Sequence, residues 1–297
     1  MPDPAPSSDS LRFDSAFWRK LAWQGAAYGP RWWVEGSPPL IGLVFAALMR
    51  RHRAMVRRNL RTLLGTRSRL VEDADVVRTF MSFAQALADG LALSAGDRFR
   101  SDVSVSGAEH VRSAIDVDRG LIVATAHTAG WETALAALKQ NLNRPVLVVM
   151  RAEPDKKAGA LHDGYRQNLG FEVLHAGGDP LSSLPLIRHL RQGGIVAVQI
   201  DRCTDGMRGQ DVTLGSRPFR VPRGPFVLAS MTGAPIVPVF SMRTGFLAYR
   251  IEAGEPVHIA RRTDEAALGA SIQRVVAALE SFLRRNPTQW FHFVDGP

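Results

Sequence analysis

Apolar positions follow two regimes along the chain. In the C-terminal two thirds, short unbroken apolar runs alternate with stretches of helical spacing. Leu121–Ala126, Val146–Met150, Phe171–Leu174, Ile195–Ile200, Pro235–Phe240 and Ala248–Ile251 read as strands. Between and after them, Trp131–Gln140, Lys156–Leu169, Leu184–Arg191 and Pro225–Met231 read as helices, and Glu265–Arg285 as a long amphipathic helix stopped before Pro287. Runs that are apolar throughout suit strands covered on both faces, as in parallel sheets. The alternation predicts an α/β fold: a mostly parallel central sheet flanked by helices.

The N-terminal part is different. Residues 1–10 are Pro-, Asp- and Ser-rich and read as a disordered tail. Residues 11–70 hold four of the six tryptophans (Trp18, Trp23, Trp32 and Trp33), a short apolar stretch Leu40–Met49, and the run Arg50–Arg69 with eight arginines and no acid. Leu48, Met55, Val56, Leu60, Leu63 and Leu64 recur at helical spacing there, opposite the arginines. Two readings fit: basic amphipathic helices on a membrane interface, or a basic surface helix packed on its own domain. Glu72–Leu93 reads as a further helix.

Charge sharpens the contrast. Of the net +9, residues 1–70 carry +8, with twelve basic against four acidic residues; the other 227 residues are nearly balanced, 25 against 24. The basic segment implies a polyanionic partner, an anionic membrane surface or a nucleic acid. The uncharged run Gly36–Met49 is short of the roughly 20 residues a span needs, and Pro38 and Pro39 are expected to break it. The opening MPDPAPSSDS has neither the basic nor the apolar region of a signal peptide. Work on the cytoplasmic side, peripheral to the membrane, is the expectation. The single cysteine, Cys203, excludes an intrachain disulfide and suits a reducing compartment.

The chain contains no phosphate-binding GxxxxGK[ST], no GxSxG nucleophile elbow, no HExxH and no paired cysteines, and His162, His175 and His189 lack ligand spacing. No metal is expected. One constellation remains. His127 directly follows the strand Leu121–Ala126, Thr128–Gly130 make a turn, and Glu132 falls in the first turn of the next helix. The C-terminal edge of such a sheet is where ligands bind. There Glu132 could accept from one ring nitrogen of His127, leaving the other to take a proton from a hydroxyl. A backbone-satisfied histidine and a glutamate favoured by the helix dipole fit the same spacing.

His-x4-Glu after a buried strand resembles the signature of glycerolipid-type acyltransferases. The chain is similar to the bacterial lipid A biosynthesis (lauroyl/myristoyl) acyltransferases, in order and spacing, over about residues 15–293. The blocks are VRRNL (56–60), GAEHVRSAIDVDRGLIVATAHTAGWE (107–132), Met150-Arg151, YRQNLGFEVL (165–174), GGIVAVQIDR (193–202), SMTGAPIVPVF (230–240) and PTQWFHF (287–293). The resemblance implies a glycerolipid acyltransferase-like fold, with residues 71–297 as the acyltransferase domain. It implies His127 as catalytic base and Glu132 as its partner. Arg151, Arg166 and Asp201 fall at functional positions and are expected to bind substrate, an arginine suiting a phosphate. The implied co-substrate is an acyl carrier protein or acyl-CoA thioester, with no cofactor. The implied acceptor is a hydroxyl of a membrane glycolipid: a lipid A precursor, or a phosphatidylinositol mannoside or ornithine lipid. The chain departs from the family in its short N-terminal apolar stretch and in Cys203, where a second aspartate is often found. A nucleic-acid-binding protein using Arg50–Arg69 is the reading from another class, though the balanced body offers no basic stripe. An inactive scaffold on the same fold is a third, but His127 and Glu132 are both present.

Overall fold

The computed structural model describes residues 16–96, 98–115, 119–150, 171–175, 183–203 and 206–294, with backbone only for 16–20. The disordered-tail expectation for residues 1–10, the helix Lys156–Leu169, Arg151 and Arg166 lie outside the described residues.

Seven strands form one sheet. In chain order they are β1 (Asp102–Ser106), β2 (Leu121–Thr125), β3 (Val146–Met150), β4 (Glu172–His175), β5 (Ile195–Gln199), β8 (Ile236–Gly245) and β9 (Ala248–Ala253). Their spatial order is β1-β9-β8-β2-β5-β3-β4. All neighbours run parallel except β8 and β9, which form an antiparallel pair. A separate antiparallel hairpin is made by β6 (Gly209–Leu214) and β7 (Arg217–Pro222).

Alternate residues of the central strands feed two cores. Ile122, Ala124, Val196, Ile236 and Phe240 face a core shared with the hairpin and with helices α7 (Leu184–Arg191), α8 (Gly224–Thr232) and α9 (Glu265–Arg285). Leu121, Val123, Ile195, Ala197 and Val237 face the other side, against α5 (Ala108–Ala114) and α6 (Trp131–Leu142). Both faces are covered, so β2 is buried at every position. Among the described residues α9 is the single helix long and apolar enough to cross a membrane. Its stripe Leu268, Ile272, Val275, Val276, Leu279, Phe282 and Leu283 lies in the protein core instead.

The N-terminal region is a helical layer: α1 (Ala16–Tyr28), α2 (Arg31–Leu48) and α3 (Arg50–Leu64), all packed on α4 (Arg69–Ser94). α2 continues through Pro38 and Pro39, against the expected break. The prolines remove the bonds to the Val34 and Glu35 carbonyls, and packing compensates. Val34, Pro38, Gly42 and Ala46 form the buried face. Gly42 brings α2 so close to α4 that a Cβ there would stand 2.6 Å from Met81 Cα. α2 and α3 meet at 99°.

This layer revises the expected membrane face. The apolar stripe of α3 is turned inward, with Val56, Leu60 and Leu63 buried. Many of its arginines have partners in the fold. Arg61 pairs bidentately with buried Glu72 at 2.8 and 2.7 Å, Arg57 contacts Glu72 and Asp73, and Arg67 reaches Asp75 at 2.7 Å. Arg53 donates to the Ala46 and Ala47 carbonyls, closing the C-terminus of α2. The outward apolar surface is on α2 instead: Trp32 is 72% exposed, Leu40 66% and Val44 56%, with Ile41, Leu43 and Leu48 beside them.

Candidate active site

β2 and β5 are parallel neighbours in register, Thr125 opposite Gln199, and the Ile200 N–H extends the ladder to the Thr125 carbonyl at 2.9 Å. Two residues past that last pair lie His127 after β2 and Asp201 after β5. Equal offsets on parallel, in-register strands put the two side by side. The Asp201 carboxylate accepts from Nδ1 of His127 at 2.7 Å and from the His127 backbone N–H at 3.2 Å. Asp201 is fully buried, whereas the His127 side chain is 26% exposed.

The turn after His127 is held from below. Thr128 N–H closes on the Ala126 carbonyl at 2.7 Å, and Ser241 Oγ donates to the Ala129 carbonyl at 2.7 Å. Gly130 has φ +76°, and a Cβ there would lie 2.2 Å from the Tyr249 ring, so the turn admits only glycine without a shift. Tyr249 is anchored through its hydroxyl to buried Asp89 at 2.8 Å, which also takes Arg243 Nε at 2.7 Å. α6 then starts at Trp131, with no side-chain cap hydrogen bond from Gly130.

Electrostatics match a base with an ionised partner. Burial pushes the His127 imidazole below its ordinary value of 6.5, against the pull of Asp201. Burial opposes the charge of Asp201, yet the adjoining His127 holds it well below the usual carboxylate range. Arg202, next in the chain, is lowered by burial, with Asp201 opposing the shift.

Two expectations change here. Asp201, expected to bind substrate, is fully buried with its carboxylate on the His127 ring. Glu132 sits half-buried in the first turn of α6, as expected, but the carboxylate on the His127 ring is that of Asp201. Arg151 and Arg166 fall outside the described residues; β3, which leads into Arg151, ends at the same sheet edge. Thr125, Trp131, Met150 and Gln199 line a shallow depression beside that edge. The sequence reading passed over Trp290, Phe291 and His292, which lie under the site. The signal was the aromatic block PTQWFHF following a helix stop.

The comparisons agree with this architecture. The family model described as bacterial lipid A biosynthesis acyltransferase matches residues 8–295. A phosphatidylinositol mannoside acyltransferase of Mycolicibacterium smegmatis (strain ATCC 700084 / mc(2)155) is 31% identical over 188 residues, 62% of this chain and 61% of that protein. A protein of the same name from Mycobacterium tuberculosis (strain CDC 1551 / Oshkosh) is 32% identical over 139 residues, 46% of this chain and 43% of that one. The chain thus matches about three fifths of the length of the first relative and less than half of the second. On the family match across nearly all of its length, the chain belongs to the bacterial lipid A biosynthesis acyltransferase family.

Proposed function

We propose that this protein moves a fatty acyl chain from a thioester donor to a hydroxyl of a membrane glycolipid, with His127 as general base. The observation that carries the reading is the partly exposed imidazole whose Nδ1 is held by buried Asp201 at the C-terminal edge of the sheet. With Nδ1 so occupied, Nε2 is the nitrogen that takes the acceptor's proton. The hydroxyl oxygen attacks the thioester carbonyl, the carbon–sulfur bond breaks, and the thiolate leaves with the proton from His127. Amides at the start of α6 would receive the oxyanion. Glu132 adds negative charge near the imidazolium. Arg151 and Arg166 are proposed to hold phosphates of acceptor or donor.

No acyl-enzyme is part of the reading. Cys203 Sγ donates weakly to the Met207 carbonyl at 3.9 Å, and a positioned base makes direct attack sufficient. The donor is an acyl carrier protein or coenzyme A thioester, and no cofactor is needed. For the acceptor, the names of the relatives favour a mannosylated phosphoinositide over a lipid A precursor. The exposed apolar face of α2 would rest in the cytoplasmic leaflet of the inner membrane, where donor and acceptor meet. A nucleic acid is not favoured as partner, since Glu72, Asp73 and Asp75 pair with Arg57, Arg61 and Arg67 of the arginine run.

The test is purified protein with radiolabelled acyl-CoA or acyl carrier protein and, separately, phosphatidylinositol mannoside and lipid A precursor in mixed micelles. Transfer to one acceptor that is lost in His127→Ala supports the reading. Transfer that persists at the wild-type rate in His127→Ala rejects the base, and label on protein but not lipid rejects direct transfer.

A further inference from the structure

Asp201 can align His127 only if its own second oxygen is held. That oxygen is held by a strap at the C-terminal end of the described chain. Trp290 Nε1 donates to Asp201 Oδ2 at 2.9 Å. An indole N–H is a donor and nothing else, so this bond does not reverse. The ring is wedged between Phe219 at 6.1 Å and His292 at 4.9 Å and is 3% exposed. The backbone runs alongside the catalytic turn: Trp290 bridges Thr128, and the Phe291 N–H donates to the His127 carbonyl at 2.8 Å.

The strap is itself tied down from two sides. Arg202 donates to the Phe291 carbonyl at 2.5 Å, and Asn59 of α3 donates to the His292 and Val294 carbonyls at 2.7 and 3.0 Å. Phe293 packs edge-on to Phe80 and Phe83 of α4, both at 5.1 Å. Among the described residues, charged and titratable groups acting on the pair include Arg202 and His292. His292 Nδ1 stands 3.7 Å from Oδ2, beyond hydrogen-bond distance. Among the described residues, Trp290 is therefore the side-chain donor within hydrogen-bond distance of Oδ2.

We propose that Trp290 is a positioning residue for acyl transfer: its indole N–H pins Asp201 so that Oδ1 stays on Nδ1 of His127. The proposal rests on the reading of His127 as base. Without the indole donor, the carboxylate becomes more basic and favours the imidazolium. It is also free to turn away from the ring.

The decisive variant replaces Trp290 with 3-benzothienylalanine, which keeps the bicyclic shape and exchanges N–H for sulfur. Trp290→Phe is the second variant, and Phe219→Leu the packing control. In both Trp290 variants kcat should fall roughly tenfold, the order of one hydrogen bond to a charged group, with KM for the acyl donor unchanged. The acid limb of kcat/KM should move up by about half a pH unit. The His127 ring, followed by NMR, should titrate higher by the same amount. Phe219→Leu should lower the melting temperature and leave both pH readouts in place. Unchanged His127 titration in the benzothienyl protein overturns the proposal. Failure of the base reading looks different: His127→Ala stays active while the ring titration still moves when the N–H is removed.

Discussion

Asp201 Oδ1 lies 2.7 Å from Nδ1 of His127 although 74 residues separate them in the chain. The contact exists because β2 and β5 are parallel, adjacent and in register, and each residue lies two positions past the last pair. A partner five residues away, Glu132, was the one that spacing suggested; the partner across the sheet is the one on the ring.

That relationship predicts an order of effects. Asp201→Asn should lower kcat/KM by about 10²–10⁴-fold, because an amide can donate to Nδ1 and stabilise the wrong tautomer. Glu132→Gln should lose less, since Asp201 is the carboxylate that holds Nδ1 of His127. Steady-state kinetics on the two purified variants check this. A nearly wild-type Asp201→Asn beside an inactive Glu132→Gln would return the orienting role to Glu132.

The pH profile follows from the direction of the His127 shift. On the proposed mechanism transfer requires the neutral imidazole, and burial lowers its pKa below 6.5. Activity should therefore be full at neutral pH and fall only as pH drops through a value under 6.5. The measurement is kcat/KM against pH with a donor that does not titrate in that range. An acid limb above pH 7 would contradict a base whose pKa lies below 6.5.

Much of this was legible in the sequence, for identifiable reasons. β2, β3 and β5 are continuous apolar runs because both faces of the sheet are covered, and such runs need no partner to be recognised. His127 at a strand end was readable for the same reason. The pairing with Asp201 was not, since strand order is a tertiary fact and β5 reaches β2 only by skipping β3 and β4. β1 escaped notice because DVSVS is polar and lies at an edge. The β6–β7 hairpin does alternate, with Val212, Leu214, Phe219 and Val221 facing the core, but Pro218 and Pro222 hide the pattern. Composition alone did not show that acids on α4, next in sequence, pair with Arg57, Arg61 and Arg67 of the arginine run.

Those α3–α4 pairs predict a pH-dependent weakness in the helical layer. The hydrogen bond from Arg61 holds Glu72 down at about 2 from an ordinary 4.5, with burial opposing. A depressed carboxylate stabilises the fold above its unfolded value and loses that contribution as pH falls from about 4.5 toward 2. Glu72→Gln should flatten the acid side of a melting-temperature-against-pH curve and lower stability at pH 7. If wild type and variant lose stability in parallel below pH 4.5, the pair has no such role.

The final prediction concerns how the protein meets a lipid surface, and the two helices of the bent pair give different answers. α2 exposes Trp32, Leu40, Ile41, Leu43, Val44 and Leu48, each about half exposed or more. A fully buried large apolar side chain contributes about 1.5–3 kcal/mol, so half-exposed ones contribute on the order of 1 kcal/mol each on insertion. Arg50, Arg51 and Arg58 are exposed on α3, and each basic residue near an anionic leaflet adds about 1 kcal/mol that salt screens. The apolar sum is the larger. Binding should therefore persist on neutral vesicles, strengthen on anionic ones, and weaken only partly in high salt. Trp32→Ser with Leu40→Ser and Val44→Ser should release the protein from both vesicle types without unfolding it, because none of the three is buried. Arg50→Gln with Arg51→Gln should reduce binding on anionic vesicles at low salt alone. Deleting residues 1–70 is the poorer test, since it removes Val56 and Leu60 from a core with Val76 and Phe80. Co-sedimentation with phosphatidylcholine vesicles, with and without an anionic lipid, reads out every arm. Binding that vanishes on neutral vesicles and survives the α2 substitutions would assign the contact to the arginines of α3.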